Sequence, residues 1–457
     1  MERRVFVLGL VILGLLILGP VSAPCGALPQ GDEGGGGAPR IERVLFEGNT
    51  RTDGEVARGL AGLEAGDPAD PARILAAAER LRQSGLFAAV DVHTRKGTEL
   101  GRVDVLFRVK ERGPQLRFGA GYEDLSGWYL IPAQINLDNL TGRAETVRLS
   151  GRLGYRVGGL VLDVARRGLL LSEGSVGARL RVESQNRIYF LDGAELSHKV
   201  TRRGADLEAS RALSRRLSVT AWAGVESVEA DSDAVIYSDP KGGGRRRGDE
   251  IPFEDLPSAI RSGVRFRVQT RLGLSLQWDT RDGAGLARSG LWGGVSAEGI
   301  LSDEGDFPSG RMDLRAQAPL CDGLQIAVRA RMRAVGERAP FHERLYLGGL
   351  YTVRGFPSQS LSPPEGNLAV AAGSAELRMA WIGPSEDPLL SAVAFLDGGV
   401  GWDRGGPPLD RCSAGIGYGF RLKLPWVQLL GVDVGIPLTD GPVREAFHAN
   451  GSLGWTF

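Results

Sequence analysis

Cysteine is almost missing from this chain: Cys25, Cys321 and Cys412 are the only three in 457 residues. Three cysteines make no disulfide framework, and Cys321 and Cys412 pair only if the fold happens to bring them together. Histidine is nearly as scarce. His93, His198, His342 and His448 are scattered, with no HExxH spacing and no neighbouring cysteine pair, so no metal centre is expected. No GxSxG nucleophile elbow occurs. The glycine- and arginine-rich run 241–248 (KGGGRRRG) lacks phosphate-loop spacing and reads as a solvated basic loop. Neither sign of charge is in excess, with 55 Lys+Arg against 55 Asp+Glu, which argues against a nucleic-acid partner. After residue 27 nothing approaches 18 consecutive apolar residues, which excludes a transmembrane helix there. The chain is therefore read as neither an enzyme nor a cofactor carrier.

What is present falls into segments of different grammar. Residues 1–27 read as a signal peptide: Glu2, Arg3 and Arg4, then the apolar run 5–19, then Val21, Ser22 and Ala23 as a small-residue cleavage site. Cleavage after Ala23 and cleavage after Ala27 both remain open. Residues 28–39 hold a glycine-dominated linker (GDEGGGGA at 31–38). Residues 40–113 read β-α-α-β-β. Thr52, Asp53, Gly54 and Glu55 form a capping-box pattern for a helix reaching about Leu63. Asp70 and Pro71 are a cap followed by proline at the first helical position, and Gly85 closes the second helix. Val103, Val105, Phe107 and Val109 share one face of the third strand.

From residue 114 to 457 the period becomes 2. Val264, Phe266, Val268, Thr270, Leu272, Leu274, Leu276 and Trp278 alternate with Arg265, Arg267, Gln269, Arg271, Gly273, Ser275, Gln277 and Asp279. Met312, Leu314 and Ala316 alternate with Arg311, Asp313 and Arg315. Ile326, Val328, Ala330 and Met332 alternate with Gln325, Arg329, Arg331 and Arg333. A soluble sandwich would bury the apolar set. No helical segments cover these strands and the polar set is heavily charged, so the pattern predicts a transmembrane antiparallel β-barrel of about 16 strands. The long gaps 229–262 and 335–368 follow the seventh and eleventh strands and fall at the same end of the barrel.

Several stretches resemble the outer-membrane assembly-factor superfamily, which includes BamA, TamA and the two-partner secretion pores. FEGNTRTDGEV (46–56) and LRQSGLFAAVDV (81–92) look like a POTRA domain spanning 40–113. WDTRDG (278–283), GGLYTVRGF (348–356), GSAEL (373–377) and FLDGG (395–399) look like the family's barrel motifs. The chain resembles a short member of the bacterial surface antigen type with one POTRA domain. The resemblance implies that Val353, Arg354, Gly355 and Phe356 lie on a loop folded back into the barrel lumen. There Arg354 would meet Glu376 and Asp397 on the wall. Parity supports Glu376, which shares a face with Ser374 and Arg378, whereas Asp397 shares its face with Val393 and Phe395. Gly355 is expected to permit a tight turn at the tip. Phe447, Ala449, Leu453, Trp455 and Phe457 share one face of the last strand, and Leu453, Trp455 and Phe457 resemble an outer-membrane sorting signal.

The implied location is the outer membrane of a Gram-negative-type bacterium, with the POTRA domain in the periplasm. The implied function is assembly of outer-membrane proteins by β-augmentation and lateral opening of the barrel seam. Implied partners are unfolded outer-membrane protein clients, periplasmic chaperones or accessory lipoproteins, and outer-membrane lipids. A two-partner-type secretion pore is the alternative, although such pores usually carry two POTRA domains and a plug helix. A passive porin or structural barrel is the third reading.

Overall fold

The computed structural model describes residues 39–123, 127–154, 156–167, 174–238, 247–282, 288–424, 429–441 and 446–453. The expected signal peptide, all but the last residue of the linker, Gly283, and Trp455 and Phe457 lie outside them.

The first unit holds the chain up to Gln115 together with residues 135–148 and 163–177. Its α+β module runs β1 (Arg40–Glu47), α1 (Gly54–Ala61), α2 (Pro71–Gln83), β2 (Phe87–Lys96) and β3 (Arg102–Glu111). The sheet order is β1-β3-β2, with β1 parallel and β2 antiparallel to β3. Both helices lay an apolar stripe on this sheet. Ile74, Ala78 and Leu81 of α2 are buried with Ile41, Phe87, Val105 and Phe107, and Phe46 stacks on Phe107 at 5.4 Å. The α2 cap is Asp70, which accepts from Ala72 N at 3.0 Å.

The α1 cap differs from the expected one. Asp53, not Thr52, accepts from Glu55 N, at 2.7 Å. Thr52 serves Glu111 instead. Its N–H and its hydroxyl both donate to Glu111 Oε1 at 2.6 Å, and Arg51 N and Thr50 Oγ add 3.0 and 2.9 Å bonds. The stretch 50–52 is thus a nest wrapped around one carboxylate. Burial pushes Glu111 up, but these bonds outweigh it and bring its pKa down to about 2. A depressed carboxylate contributes stability above its unfolded pKa, about 4.5, and loses it as pH falls toward 2. We expect the amides of Arg51 and Thr52 to lose exchange protection in that window, after correction for intrinsic exchange. Glu111→Ala, which removes the acceptor, should leave them unprotected at neutral pH as well. Full protection in that variant would contradict the nest.

The strands of the second architecture are β4 (Gln115–Glu123), β5 (Gly127–Asp138), β6 (Glu145–Gly154), β7 (Val157–Arg167), β8 (Gly174–Leu191), β9 (Ala194–Ala212), β10 (Leu217–Ala230), β11 (Ala234–Ser238) and β12 (Glu250–Ile251). They continue as β13 (Arg267–Asp279), β14 (Gly290–Ser302), β15 (Phe307–Cys321), β16 (Leu324–Val335), β17 (Ala369–Ile382), β18 (Leu390–Trp402), β19 (Ser413–Lys423), β20 (Leu429–Pro437) and β21 (His448–Leu453). Among the described residues sixteen of these form the wall of a closed antiparallel barrel in which β21 lies beside β4. Short β11 and β12 are inserted between β10 and β13, and β10 also pairs directly with β13.

Burial is inverted relative to a water-soluble protein. Leu274, Leu276, Trp278, Leu314, Val328, Leu377 and Tyr418 are exposed, while Glu226, Gln269, Glu376, Arg421 and Asp433 are buried. Exposed apolar and inward charged residues on alternate positions require a lipid exterior and a polar interior.

The gap 229–262 is more structured than expected. It contains β11, β12 and a short helix α3 (Ser258–Arg261). Leu256 and Ile260 insert beneath Tyr189, Leu196, Ile236 and Phe341. This cluster holds together the end of β8 (Tyr189) and the start of β9 (Leu196 and Val200). It also explains why β13 begins at Arg267: Val264 instead packs against the cluster, leaving residues 263–266 outside the strand.

Candidate functional site

Residues 336–368 connect β16 to β17 and turn inward. The reversal is made at Gly348 (φ +110°) and Gly349 (φ +90°), a backbone region that glycine enters without a Cβ clash. Gly349 N donates to the carbonyls of Val353 (3.2 Å) and Phe356 (3.0 Å), closing a knot around 349–356. Val353 and Phe356 are buried with Leu345, Leu347 and Val370. Arg354, between them, is only 1% exposed.

The Arg354 guanidinium is saturated. Nε and Nη2 donate to the two oxygens of Asp397 at 2.7 and 2.8 Å, and Nη1 donates to Glu376 at 2.6 Å and reaches Asp433 at 3.4 Å. Nη2 also donates to Ser374 Oγ at 2.9 Å. Its backbone N–H donates to Asp397, and its carbonyl accepts from Asn450 Nδ2. The Phe395 ring lies 3.5 Å beneath the guanidinium, a cation–π contact. Arg378 binds the other oxygen of Glu376 at 2.8 Å, and Arg421 grips Asp433 at 2.6 and 2.8 Å. Three arginines and three carboxylates on four strands and one loop thus balance in charge. Such burial is tolerable only because nearly every donor has an acceptor.

All four residues expected on the loop and both wall partners are therefore brought together. Asp433 and Arg421 are additional members that sequence reasoning missed. So is the receiving surface on β19 and β20. Gly415, Gly417 and Gly419 alternate with outward Ile416, Tyr418 and Phe420, and Gly435 lies opposite Gly417. A Cβ on Gly435 would collide with the Arg354 carbonyl. Gly-x-Gly-x-Gly on the inward face was the available signal. The tight turn expected at Gly355 is present, closed by Phe356 N donating to the Val353 carbonyl at 3.2 Å, but it does not use a left-handed φ at that glycine. Glycine is required there because a Cβ would come within 2.9 Å of the Ile436 carbonyl carbon.

The same loop is anchored across the barrel by charge of the opposite sign. Glu343 meets Arg202 on β9 at 2.6 Å and Arg271 on β13 at 3.7 Å. Beside it Glu226 binds Arg271 (2.6 Å) and Arg181 (2.7 Å). At the barrel's other end, Asp279 and Arg281 of the WDTRDG stretch form a bidentate pair at 2.8 and 2.9 Å. Cys321 and Cys412 are both free and exposed. Leu453 ends the described part of β21, with Trp455 and Phe457 beyond it.

A closed barrel of about sixteen strands with an apolar exterior, a charged lumen and an inward-folded loop, preceded by one small α+β module, defines an outer-membrane barrel with a single POTRA domain. A POTRA model, described as a surface antigen variable number repeat, matches residues 39–112, and the Omp85 superfamily domain matches residues 139–457. The chain belongs to the Omp85 superfamily, whose members are membrane assembly or secretion proteins. Its fold is similar to that of BamA from Haemophilus ducreyi lacking POTRA domains 1–3, with TM-score 0.70 at 17% identity over 90% of this chain and 84% of that one. It is also similar to CdiB from Acinetobacter baumannii (TM-score 0.59, 17% identity, 91% and 73% covered) and to CdiB from Escherichia coli (0.54, 13%, 94% and 93%).

Proposed function

We propose that this protein is an assembly factor for outer-membrane proteins, accepting client strands at the β4–β21 seam. The observation that carries this reading is the position of the 336–368 loop. It lies pinned in the lumen by Arg354 on one wall and Glu343 on the other. A pinned loop obstructs a polypeptide conduit, which a secretion pore needs, but does not hinder work at the barrel edge. In β4, Gly119 and Gly121 provide no side chains to pack, which weakens that edge. A parted seam offers unpaired N–H and C=O groups to an incoming strand. The POTRA sheet leaves β1 and β2 as its outer strands, edges suited to clients, chaperones or accessory lipoproteins. In this reading the POTRA domain is periplasmic and the long loops face outward. Leu453, Trp455 and Phe457 direct the protein itself to the outer membrane.

The test is reconstitution. Vesicles carrying the protein should insert a urea-unfolded outer-membrane barrel at least several-fold faster than empty vesicles, and should not pass a soluble exported protein into the lumen. Insertion no faster than in empty vesicles would sink the reading. Passage of the soluble protein would favour the secretion pore.

A further inference from the structure

A cavity of about 1070 Å³ lies in the lumen between the loop and the wall built by β8–β10 and β13–β16. Eleven arginines and seven carboxylates line it among the described residues, leaving a surplus of positive charge. That surplus is concentrated on β15 and β16. Arg311 stands directly opposite Arg333, Arg315 opposite Arg329, and Asp313 opposite Arg331. Asp313 is consumed by two of them, with Arg315 Nη2 at 2.9 Å and Arg329 Nε at 3.0 Å. Arg311, Arg331 and Arg333 make no ion pair among the described residues, and Arg311 and Arg333 are open to the cavity. Among the charges acting most strongly on Arg333, Arg311, Arg187 and Arg271 repel it and Glu343 attracts it.

Like charges directly opposite on neighbouring strands are destabilising. A barrel lumen has room for glutamine or serine at such positions, so the repulsion is unexplained by packing. Guanidinium groups present paired donors whose geometry fits phosphate oxygens, and the volume is at the upper end for a small-molecule site. We propose that the β15–β16 side of this cavity binds a multiply charged phosphate-type anion. This site stands independently of the assembly reading.

The test uses the full-length folded protein in uncharged detergent at fixed ionic strength. Calorimetric titration with pyrophosphate should show saturable binding. The double variant Arg331→Gln/Arg333→Gln should weaken it roughly tenfold or more. Arg265→Gln, at an exposed side chain outside the cavity, should leave it unchanged. Without ligand the double variant should melt no lower than the parent, because it relieves repulsion, and this confirms that it folds. A parallel titration with monomeric short-chain phosphatidic acid separates the sources. Binding of pyrophosphate assigns a soluble phosphate, whereas binding of the lipid alone with the same variant sensitivity assigns a headgroup. Binding of neither at millimolar concentration, or equal binding by parent and double variant, overturns the proposal.

Discussion

Arg354→Ala should free the 336–368 loop from the barrel wall. The substitution removes five side-chain hydrogen bonds at once and leaves Asp397 and half of Glu376 buried without a cation. Breaking one side of a buried ion pair costs about 3–5 kcal/mol, or roughly two to four orders of magnitude in the docked-to-undocked ratio. The strands carry their own ladder, so the barrel should still insert. It should lose the compact form that migrates fast on unheated gels, gain lumenal conductance, and lose client insertion. Arg354→Lys should behave nearly as badly, because an ammonium cannot span both oxygens of Asp397 and Glu376 together. Asp433 is then left to Arg421 alone, a pair that survives the substitution. Unchanged gel mobility and conductance in Arg354→Ala would show that the ion network does not hold the loop.

Much of this architecture was legible in the sequence because the barrel has two solvents. Lipid outside and water inside write a period of 2 directly into strands such as β13, β15 and β16. The legibility failed where a local need overrode that rule. On β18 the inward face is itself partly apolar: Val393 and Phe395 are buried on the same side as Asp397, while Leu396 faces outward. Phe395 is inside because it lies under Arg354, so hydropathy alone left the orientation of Asp397 open. Asp433 sits in a run of valines and glycines with nothing local to mark it. Its importance comes from Arg421 and Arg354, 12 and 79 residues away. Short β11, β12 and α3 were unreadable for a different reason. They owe their form to Leu256 and Ile260 reaching into a cluster contributed by distant hairpins. Thr52 satisfied a local capping pattern, yet Glu111 at the far end of the module took its donors.

The two anchors divide the loop's work. Arg354 engages β17, β18 and β20, while Glu343 engages β9 and β13 across the lumen. A loop tied at both walls braces the barrel, and bracing confines any opening to the place where the wall is weakest. The proposal places that weakness between β4 and β21.

Welding this seam tests the account most directly. Cysteines introduced at facing positions of residues 116–122 and 449–453 should join the edge strands, after Cys321 and Cys412, both exposed and free, are replaced to prevent mispairing. Disulfides form only over Cα separations of about 4.4–6.8 Å, so several pairs need to be tried. The account predicts that the oxidised protein loses client insertion down to the level of empty vesicles, recovers it on reduction, and keeps its lumenal conductance throughout. Full client insertion by the oxidised, welded barrel would contradict it.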